Sequence, residues 1–247
     1  MISIKTKEEI EIIRQGGRIL SSVLKELEKI AKPGITTLEL DRAAEALILS
    51  AGAKPGFKGY DGFPYSLCAS VNENVVHGLP SNYVIKDGDV LKLDLGVLYK
   101  GYNTDSALTV AVGNVSFEAK RLINVTKKSL RLGIKKAKVG NTIGDIGNTV
   151  QRFVEDQGFG VVRELCGHGI GKDLHEDPKI PNYGKRQSGE RLAEGMVICI
   201  EPMVTAGDYN IKPSKDGYGY ATKDGSQSAH FEHTIAITKK GARILTE

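Results

Sequence analysis

The spacing of hydrophobic residues predicts a mixture of helices and strands. Apolar residues between positions 10 and 27 recur at helical spacing and follow the capping-box signature Thr6-x-x-Glu9. Short apolar runs bounded by glycine and proline are typical of strands. The predicted elements are helices at about 7–31, 36–50, 117–137 and 140–158 and strands at about 66–71, 74–77, 90–98 and 106–112.

The third and fourth strands are predicted to form a β-hairpin that brings Asp94 and Asp105 together. A turn at residues 99–100 would place the two aspartates directly opposite each other. A turn at residues 100–101 would place Asp94 opposite Ala107, with the second aspartate diagonal to it on the same face. The leucines around Asp94 indicate a central strand rather than a solvent-facing one. Two neighbouring carboxylates in such a place repel each other unless a cation lies between them, so we expect a divalent metal.

Two pairs of similar segments predict an internal duplication. The pairs are GITTLELD at 34–41 with GNTIGDIG at 140–147, and GDVLKLD at 88–94 with GMVICIE at 195–201. The offsets are 106 and 107 residues, and their agreement over so long a span indicates one repeated unit. We therefore expect a single catalytic domain, residues 1–247, with pseudo-twofold-related halves at about 1–115 and 116–247.

The duplication predicts where further carboxylates lie. Glu201 ends the repeated segment just as Asp94 does, and Glu232 precedes a strand run just as Asp105 does. Each half then supplies one carboxylate late in a first strand and one early in a second strand. Four carboxylates that converge on an axis between two halves predict a metal site.

Composition fits a globular protein. The 247 residues are 40% hydrophobic, carry a formal net charge of +4, and include three scattered cysteines, too few for a disulfide framework or a thiolate zinc site. Basic residues come in scattered pairs, which is typical of solvated helix faces and loops rather than of a nucleic-acid site. No apolar run reaches membrane-spanning length and no signal core follows the N-terminus, so we expect a cytoplasmic protein without a membrane partner.

Among the five histidines, His168 is the strongest candidate for a ligand, because the glycines of Cys-Gly-His-Gly-Ile-Gly allow close approach. His77 and His175 lie in turn contexts. His233 is expected to face away from Glu232 into the interior, and His230 shares the glutamate's face without any other distinguishing mark.

Four carboxylates and one imidazole form a hard, oxygen-rich ligand set that suits Co, Mn, Fe(II) or Zn. Four buried negative charges exceed what one divalent ion neutralises, whereas two divalent ions balance them. Paired ions clamp an attacking hydroxide, so the predicted chemistry is hydrolysis.

The whole set resembles methionine aminopeptidases of the shorter, bacterial-like type. The predicted ligands are Asp94, Asp105, His168, Glu201 and Glu232. Supporting runs are SVNENVVHG at 70–78, DLG at 94–96, NTD at 103–105, CGHGIG at 166–171, HEDP at 175–178, IEPM at 200–203 and FEHT at 231–234. The resemblance covers about residues 3–245.

The resemblance implies an α+β fold of the pita-bread (creatinase/aminopeptidase) type, with two related halves around a curved antiparallel sheet and helices outside. It implies a monomer that removes the initiator methionine from nascent polypeptides whose second residue is small. Asp105 and Glu232 would bridge two divalent metal ions, Asp94 would bind one of them, and His168 and Glu201 the other. Transient association with ribosomes is a further expectation.

The resemblance also implies roles for individual side chains. Glu201 would carry the proton from the nucleophile to the leaving amine, His175 would donate to the developing oxyanion, and His77 would lie near the scissile peptide and the substrate amine. The implied methionine pocket consists of Tyr60, Phe63, Cys68, His77 and Tyr218.

Two positions depart from the family pattern. Tyr218 stands where bacterial members usually have tryptophan, and Phe57 stands where they often have cysteine. We expect an intact reaction with an altered pocket lid.

Three alternatives remain. A proline-specific peptidase shares the fold and similar ligands but usually carries a long N-terminal domain, for which the early position of Asp94 leaves no room. A binding protein on the same fold that has lost its metals would lack ligands that are all present here. An RNA- or ribosome-surface protein is compatible with the positive charge, but the sequence shows no binding motif.

Overall fold

A computed structural model describes residues 2–247. Four helices lie at the boundaries that their capping residues predict, because each N-terminal Thr or Ser side chain accepts a hydrogen bond from a backbone N–H of the first turn. The helices are α1 (Lys7–Ile30), α2 (Thr37–Ser50), α3 (Phe117–Lys136) and α4 (Ile143–Asp156). Among the described residues, none of these helices combines the length and apolar character needed to cross a bilayer.

The strands form four sheets in which every pairing is antiparallel. In chain order they are β1 (Lys54–Pro55), β2 (Leu67–Val71), β3 (Asn74–Val76), β4 (Val90–Tyr99), β5 (Tyr102–Ala111), β6 (Gly160–Val161), β7 (Gly167–Gly169), β8 (Glu176–Ile180), β9 (Val197–Ile200), β10 (Met203–Thr205), β11 (Ile211–Pro213), β12 (Tyr220–Thr222), β13 (Ser228–His230), β14 (His233–Thr238) and β15 (Gly241–Ile244). A single 3-10 turn, Tyr60–Gly62, precedes β2.

The hairpin of β4 and β5 adopts the second of the two predicted registers. Lys100 and Gly101 form the turn with φ values of 49° and 82°, which matches the left-handed pair that tight hairpins require. Asp94 therefore pairs with Ala107, and Asp105 lies diagonally across from it on the same face. β5 also begins earlier than predicted, at Tyr102 rather than at 106, because pairing resumes directly after the turn.

Side chains along β4 point alternately to the two faces of the sheet. Its leucines at 91, 93 and 95 pack against α1 and α2 in one hydrophobic core, so Asp94 points to the opposite face. In the second half, β9 and β14 pack against α3 and α4 in a corresponding core. Ile200 at the end of β9 pairs with His233 at the start of β14, so Glu201 and Glu232 lie just beyond that pair.

The two halves join along β5 and β14. Thr234 accepts a hydrogen bond from the Asp105 N–H at 3.0 Å and donates to the Asp105 carbonyl at 2.7 Å. The Glu232 N–H donates to the Ala107 carbonyl at 2.9 Å. These bonds hold a carboxylate of each half beside one of the other half.

The duplication into halves at about 1–115 and 116–247 stays a prediction, and one local detail agrees with it. Thr36 and Thr142 both cap the second helix of their half through a capping box. Each of them also forms an isolated antiparallel bridge, with Val84 and Arg191 respectively.

Candidate functional site

Four carboxylates converge where the halves meet, three of them buried and the fourth, Glu201, partly buried. Asp94 and Asp105 come from the β4–β5 hairpin, Glu201 directly follows β9, and Glu232 lies between β13 and β14. Ligand oxygens of Asp94, Asp105 and Glu232 lie within 4.8 Å of one another. Glu232 also lies within that distance of His168 and Cys199, so it belongs to both groups.

Oxygens of this cluster lack hydrogen-bond partners among the described residues. Asp94 Oδ1, Asp105 Oδ1 and Glu232 Oε1 are buried without any donor. Burial raises the pKa of Asp94 to about 7, and burial with the neighbouring carboxylates holds the pKa of Asp105 well above its usual range. The same causes raise the pKa of Glu201 and Glu232. Orphaned oxygens in so dense a cluster fit divalent cations, which would satisfy both the charge and the lone pairs.

The orientation of His168 leaves one ring nitrogen free for a ligand. Its Nδ1 lies 2.8 Å from the Gly169 carbonyl, which can only accept, so Nδ1 carries the proton. Burial lowers the pKa of His168 to about 3 and keeps the ring neutral. The bare Nε2 lies 3.7 Å from Glu201 Oε1 and 3.9 Å from Asp105 Oδ2. A neutral imidazole held by a backbone carbonyl is the usual arrangement of a metal-binding histidine.

Cys199 is a weaker ligand than the carboxylates around it. Burial and the nearby Glu232 hold the pKa of its thiol well above the usual range, so the sulfur stays protonated. Its Sγ lies 3.5 Å from the Thr234 hydroxyl. The thiol therefore serves as buried packing beneath Glu232.

Two more histidines lie on the open side of the cluster. The ring of His175 stands perpendicular to that of His168, with the ring centroids 4.3 Å apart. Its Nδ1 lies 2.9 Å from the Tyr60 hydroxyl, which fixes the orientation of the ring. Burial lowers the pKa of His175, and burial and the nearby His175 lower the pKa of His77 to about 4, so both rings are neutral at pH 7.

A cavity of about 190 Å³ is lined by the carboxylates at one part of its wall and by aromatic residues at another. In its wall the rings of Phe63 and Tyr218 pack edge to face, with their centroids 5.8 Å apart. The Tyr218 hydroxyl donates a hydrogen bond to the Gly62 carbonyl at 3.1 Å. Cys68 lies in its wall, directly opposite Asp94 in the register of β2 and β4. The cavity thus joins a charged end to an aromatic, sulfur-containing wall.

Comparisons with known proteins identify the family. The model of metallopeptidase family M24 matches residues 11–239. A methionine aminopeptidase of Clostridium acetobutylicum is 50% identical over 247 residues, which cover 100% of this chain and 99% of the relative. The chain belongs to the methionine aminopeptidases of metallopeptidase family M24. It is therefore a hydrolase, and membership of a metallopeptidase family implies that it uses divalent metal ions.

Solved structures separate the methionine aminopeptidases from the proline-specific alternative. The methionine aminopeptidase of Thermotoga maritima matches with a TM-score of 0.99 and 44% identity, over 100% of both chains. A prolidase from Pyrococcus furiosus matches with a TM-score of 0.80 and 27% identity, over 99% of this chain but only 65% of the prolidase. The predicted pita-bread fold is confirmed, and the match over full length is with a methionine aminopeptidase.

All the residues predicted for this methionine aminopeptidase site meet around one cavity. Its wall includes the five predicted ligands and the predicted pocket residues, namely Asp94, Asp105, His168, Glu201, Glu232, Tyr60, Phe63, Cys68, His77, His175 and Tyr218. Phe57 also lines the cavity. Their individual roles stay predictions, but no residue of the set lies elsewhere.

Sequence reasoning gave no role to four neighbours of the site. Asp61 and Leu174 line the cavity, Cys199 lies close to Glu232, and His230 approaches Glu201 with its Nε2 3.7 Å from Oε2. A leucine beside His175 and a cysteine on a buried strand carry no distinctive signal. His233, by contrast, turns away as expected and places its Nδ1 2.9 Å from the Thr246 hydroxyl.

Proposed function

We propose that this enzyme releases the N-terminal methionine of nascent polypeptides whose second residue is small. The observation that carries the proposal is the joining, in one cavity, of the five proposed ligands and a wall of aromatic and apolar side chains. A cluster of metal ligands beside this wall suits a free α-amine and its adjacent carbonyl. An internal residue has no amine to offer, so the arrangement favours an exopeptidase.

We propose that Asp94, Asp105, His168, Glu201 and Glu232 hold two divalent metal ions. Three orphaned carboxylate oxygens and the bare Nε2 of His168 support this set. Asp105 and Glu232 are the central pair, since each lies among ligands of both halves. When bound, such ions supply Lewis acidity that activates water at neutral pH. Co, Mn, Fe(II) and Zn all suit these ligands.

The protein's own side chains would then move the protons and orient the substrate. Glu201 would take a proton from the attacking water and deliver it to the leaving amine. His175, held at Nδ1 by Tyr60, presents Nε2 to the developing oxyanion. His77 stands beside it at the scissile peptide, while Phe63, Cys68 and Tyr218 enclose the methionine side chain.

The test is hydrolysis of three peptides by metal-stripped protein resupplied with Co, Mn, Fe(II) or Zn. We expect metal-dependent release of methionine from Met-Ala-Ser and none from N-acetylated Met-Ala-Ser. Glu201→Ala should reduce the rate by at least roughly 10²-fold. Cleavage of Ala-Pro-Ala instead would assign the chain to the proline-specific peptidases, and inactivity of the folded protein with every metal would favour a binding protein.

We also propose that the enzyme acts in the cytoplasm, as a monomer that associates transiently with ribosomes. The support for the association with ribosomes is the charge on α3, which carries seven basic residues and one acidic residue, whereas the chain as a whole has a net charge of only +4. All seven basic side chains are exposed. Lys120, Lys127, Arg131 and Lys135 recur at spacings of seven and four residues, so they share one helix face. Such a face suits the phosphates of ribosomal RNA near the emerging substrate.

Co-sedimentation with purified ribosomes at several salt concentrations tests this association. The triple variant Lys120→Gln, Arg131→Gln and Lys135→Gln should bind more weakly and with a smaller salt dependence than the parent. A control with the same charge change, Lys25→Gln, Lys32→Gln and Lys54→Gln, should bind like the parent. Equal losses in both variants would mean that α3 is not the docking face, and no binding at low salt would refute the association.

A further inference from the structure

His230 is a buried histidine for which neither the fold nor the proposed ligand set gives a role. Its side chain is 1% exposed, on the last position of β13. Its backbone is fixed from both sides by Thr109, whose hydroxyl accepts from the His230 N–H at 2.9 Å and donates to the His230 carbonyl at 2.6 Å. The main chain that carries the ring is therefore held in a defined place.

Both ring nitrogens of His230 lack a hydrogen-bond partner among residues 2–247. By contrast, Nδ1 of His168, His175 and His233 lies within 2.9 Å of an oxygen in each case. A buried polar group without a partner is costly, so it needs an explanation. The nearest charged group to the ring is the carboxylate of Glu201, whose Oε2 lies 3.7 Å from Nε2.

Glu201 lies between two imidazoles. Oε1 is 3.7 Å from Nε2 of His168, and Oε2 is 3.7 Å from Nε2 of His230. The Nε2 of His168 is bare, because Nδ1 holds its proton for the Gly169 carbonyl. The two oxygens of Glu201 thus face different partners: a ligand-type nitrogen on one side and a potential N–H donor on the other.

We propose that His230 is a positioning residue for Glu201, donating a hydrogen bond from Nε2–H to Oε2 and so directing Oε1 toward the side of His168. The present separation is longer than a hydrogen bond, and a movement of Oε2 by less than about 1 Å closes it. A carboxylate held at one oxygen keeps the other free for a metal ion or a proton. The inference rests on the proposed role of Glu201.

The first test measures metal binding directly, by calorimetric titration of metal-stripped protein with Mn²⁺. Loss of a hydrogen-bond partner behind a metal ligand typically weakens metal affinity 10- to 100-fold, and we expect such a loss for His230→Phe. His230→Gln, which keeps an N–H donor, should stay within about threefold of the parent. The matched control is His233→Phe, which removes an imidazole from the opposite face of the same segment and should leave the affinity unchanged.

Two outcomes of this titration would overturn the inference. Equal weakening by His230→Phe and His230→Gln would show that only the shape of the ring matters, and parent-like affinity in both would show that the ring does not act on Glu201. In peptide hydrolysis, His230→Phe should lower kcat with little change in KM, because the methionine pocket is untouched.

The tautomer of His230 gives a second readout, in which a variant serves only to assign the resonances. In ¹⁵N-histidine NMR spectra of the Zn²⁺-loaded parent, the resonances that disappear in His230→Gln belong to His230. They should show a protonated Nε2 and a bare Nδ1, and the opposite tautomer would refute the inference. Because neither metal titration nor NMR depends on peptide cleavage, the proposed aminopeptidase activity could fail while the role of His230 is still decided.

Discussion

Gly96 determines where the Phe57 ring lies, and with it one wall of the cavity. A Cβ on Gly96 would lie 2.6 Å from Phe57 Cε1, closer than real Cβ atoms approach. Phe57 is 8% exposed and lines the cavity beside Cys68. The Phe57 ring therefore occupies the space that a side chain at position 96 would need, on the side of the sheet where β1 pairs with β4.

We predict that Gly96→Ala forces the Phe57 ring into the cavity. Overpacking of this kind costs about 1–3 kcal/mol of stability. The KM for Met-Ala-Ser should rise by roughly fivefold for each 1 kcal/mol of binding lost, with a smaller change in kcat. Steady-state kinetics and thermal unfolding check both effects.

The double variant Gly96→Ala, Phe57→Leu provides the control, because the smaller side chain leaves room for the added methyl group. It should recover most of the stability and of the KM. A single Gly96→Ala variant with the KM of the parent would contradict this account of the wall.

At the scale of elements, the segment before α1 is tied to the loop that carries His175. Lys5 forms an ion pair with Glu176, and the two side chains are only 3% and 13% exposed. The Lys5 N–H also donates to the Gly195 carbonyl at 2.8 Å. Because Glu176 directly follows His175, this pair connects the N-terminal segment to the proposed oxyanion donor.

We predict that Lys5→Met is strongly destabilising, because it leaves the buried carboxylate of Glu176 without its cation. Breaking a buried pair in this way costs about 3–5 kcal/mol. In Lys58→Met, which breaks the more exposed Lys58–Glu45 pair, the loss should stay below about 1 kcal/mol. Chemical denaturation of the metal-loaded protein measures both.

Neutralising Glu176, the partner of Lys5, shows how much of the lost stability comes from the unpaired charge and how much from the lost packing of the lysine side chain. Lys5→Met combined with Glu176→Gln should be more stable than Lys5→Met alone. If the double variant is no better than the single one, the cost comes from packing of the lysine stem and not from the unpaired charge.

Elements were predictable from sequence where local signals decide them. The capping boxes at Thr6 and Thr36 predict the starts of α1 and α2, and these helices begin at Lys7 and Thr37. The start of β5 was not predictable in the same way. Its first residues, 102–105, are mostly polar, and they become a strand only because the turn brings them against the end of β4.

The candidate site shows the same limit. Asp94 and Glu201 could be found because a repeated segment leads to each of them, and His168 because glycines flank it. A role for His230 could not be found in this way, because Glu201, whose carboxylate lies 3.7 Å from its ring, follows a different strand and no local pattern links the two residues. The basic face of α3 was read as scattered pairs, since the shared face emerges only when the helix is placed.

At the scale of the whole molecule, the proposed metal ligands come from both halves. The β4–β5 hairpin supplies Asp94 and Asp105, whereas His168, Glu201 and Glu232 come from the second half. Hydrogen bonds between β5 and β14 already join the halves at this point. Ions bound here would therefore connect the two halves and their hydrophobic cores. Removing the ions should lower the stability of the whole fold.

This arrangement predicts that the metal-free protein loses stability as the pH rises above 6.5. Asp94 has a folded-state pKa of about 7 against a usual value of 3.8, so between these two values the folded protein keeps a proton that the unfolded chain has lost, and stability falls with rising pH until the pH has passed 7. The buried histidines have lowered pKa values, so they make the folded protein more stable as the pH rises. This effect is confined to pH values below about 6.5, where the histidines of the unfolded chain become charged. Between pH 6.5 and 8 the carboxyl groups therefore decide the slope.

The melting temperature of chelator-treated protein should fall by roughly 2–4 °C between pH 6.5 and 8, which corresponds to about 1 kcal/mol for a chain of this size. Protein saturated with Mn²⁺ should melt higher, and its advantage should grow over the same interval, because metal ions compete with protons for the same oxygens. Asp94→Asn removes the titrating group and should flatten the slope of the metal-free protein. A metal-free parent that instead becomes more stable from pH 6.5 to 8 would mean that these carboxylates are not held protonated, and that the cluster finds its counter-charge elsewhere.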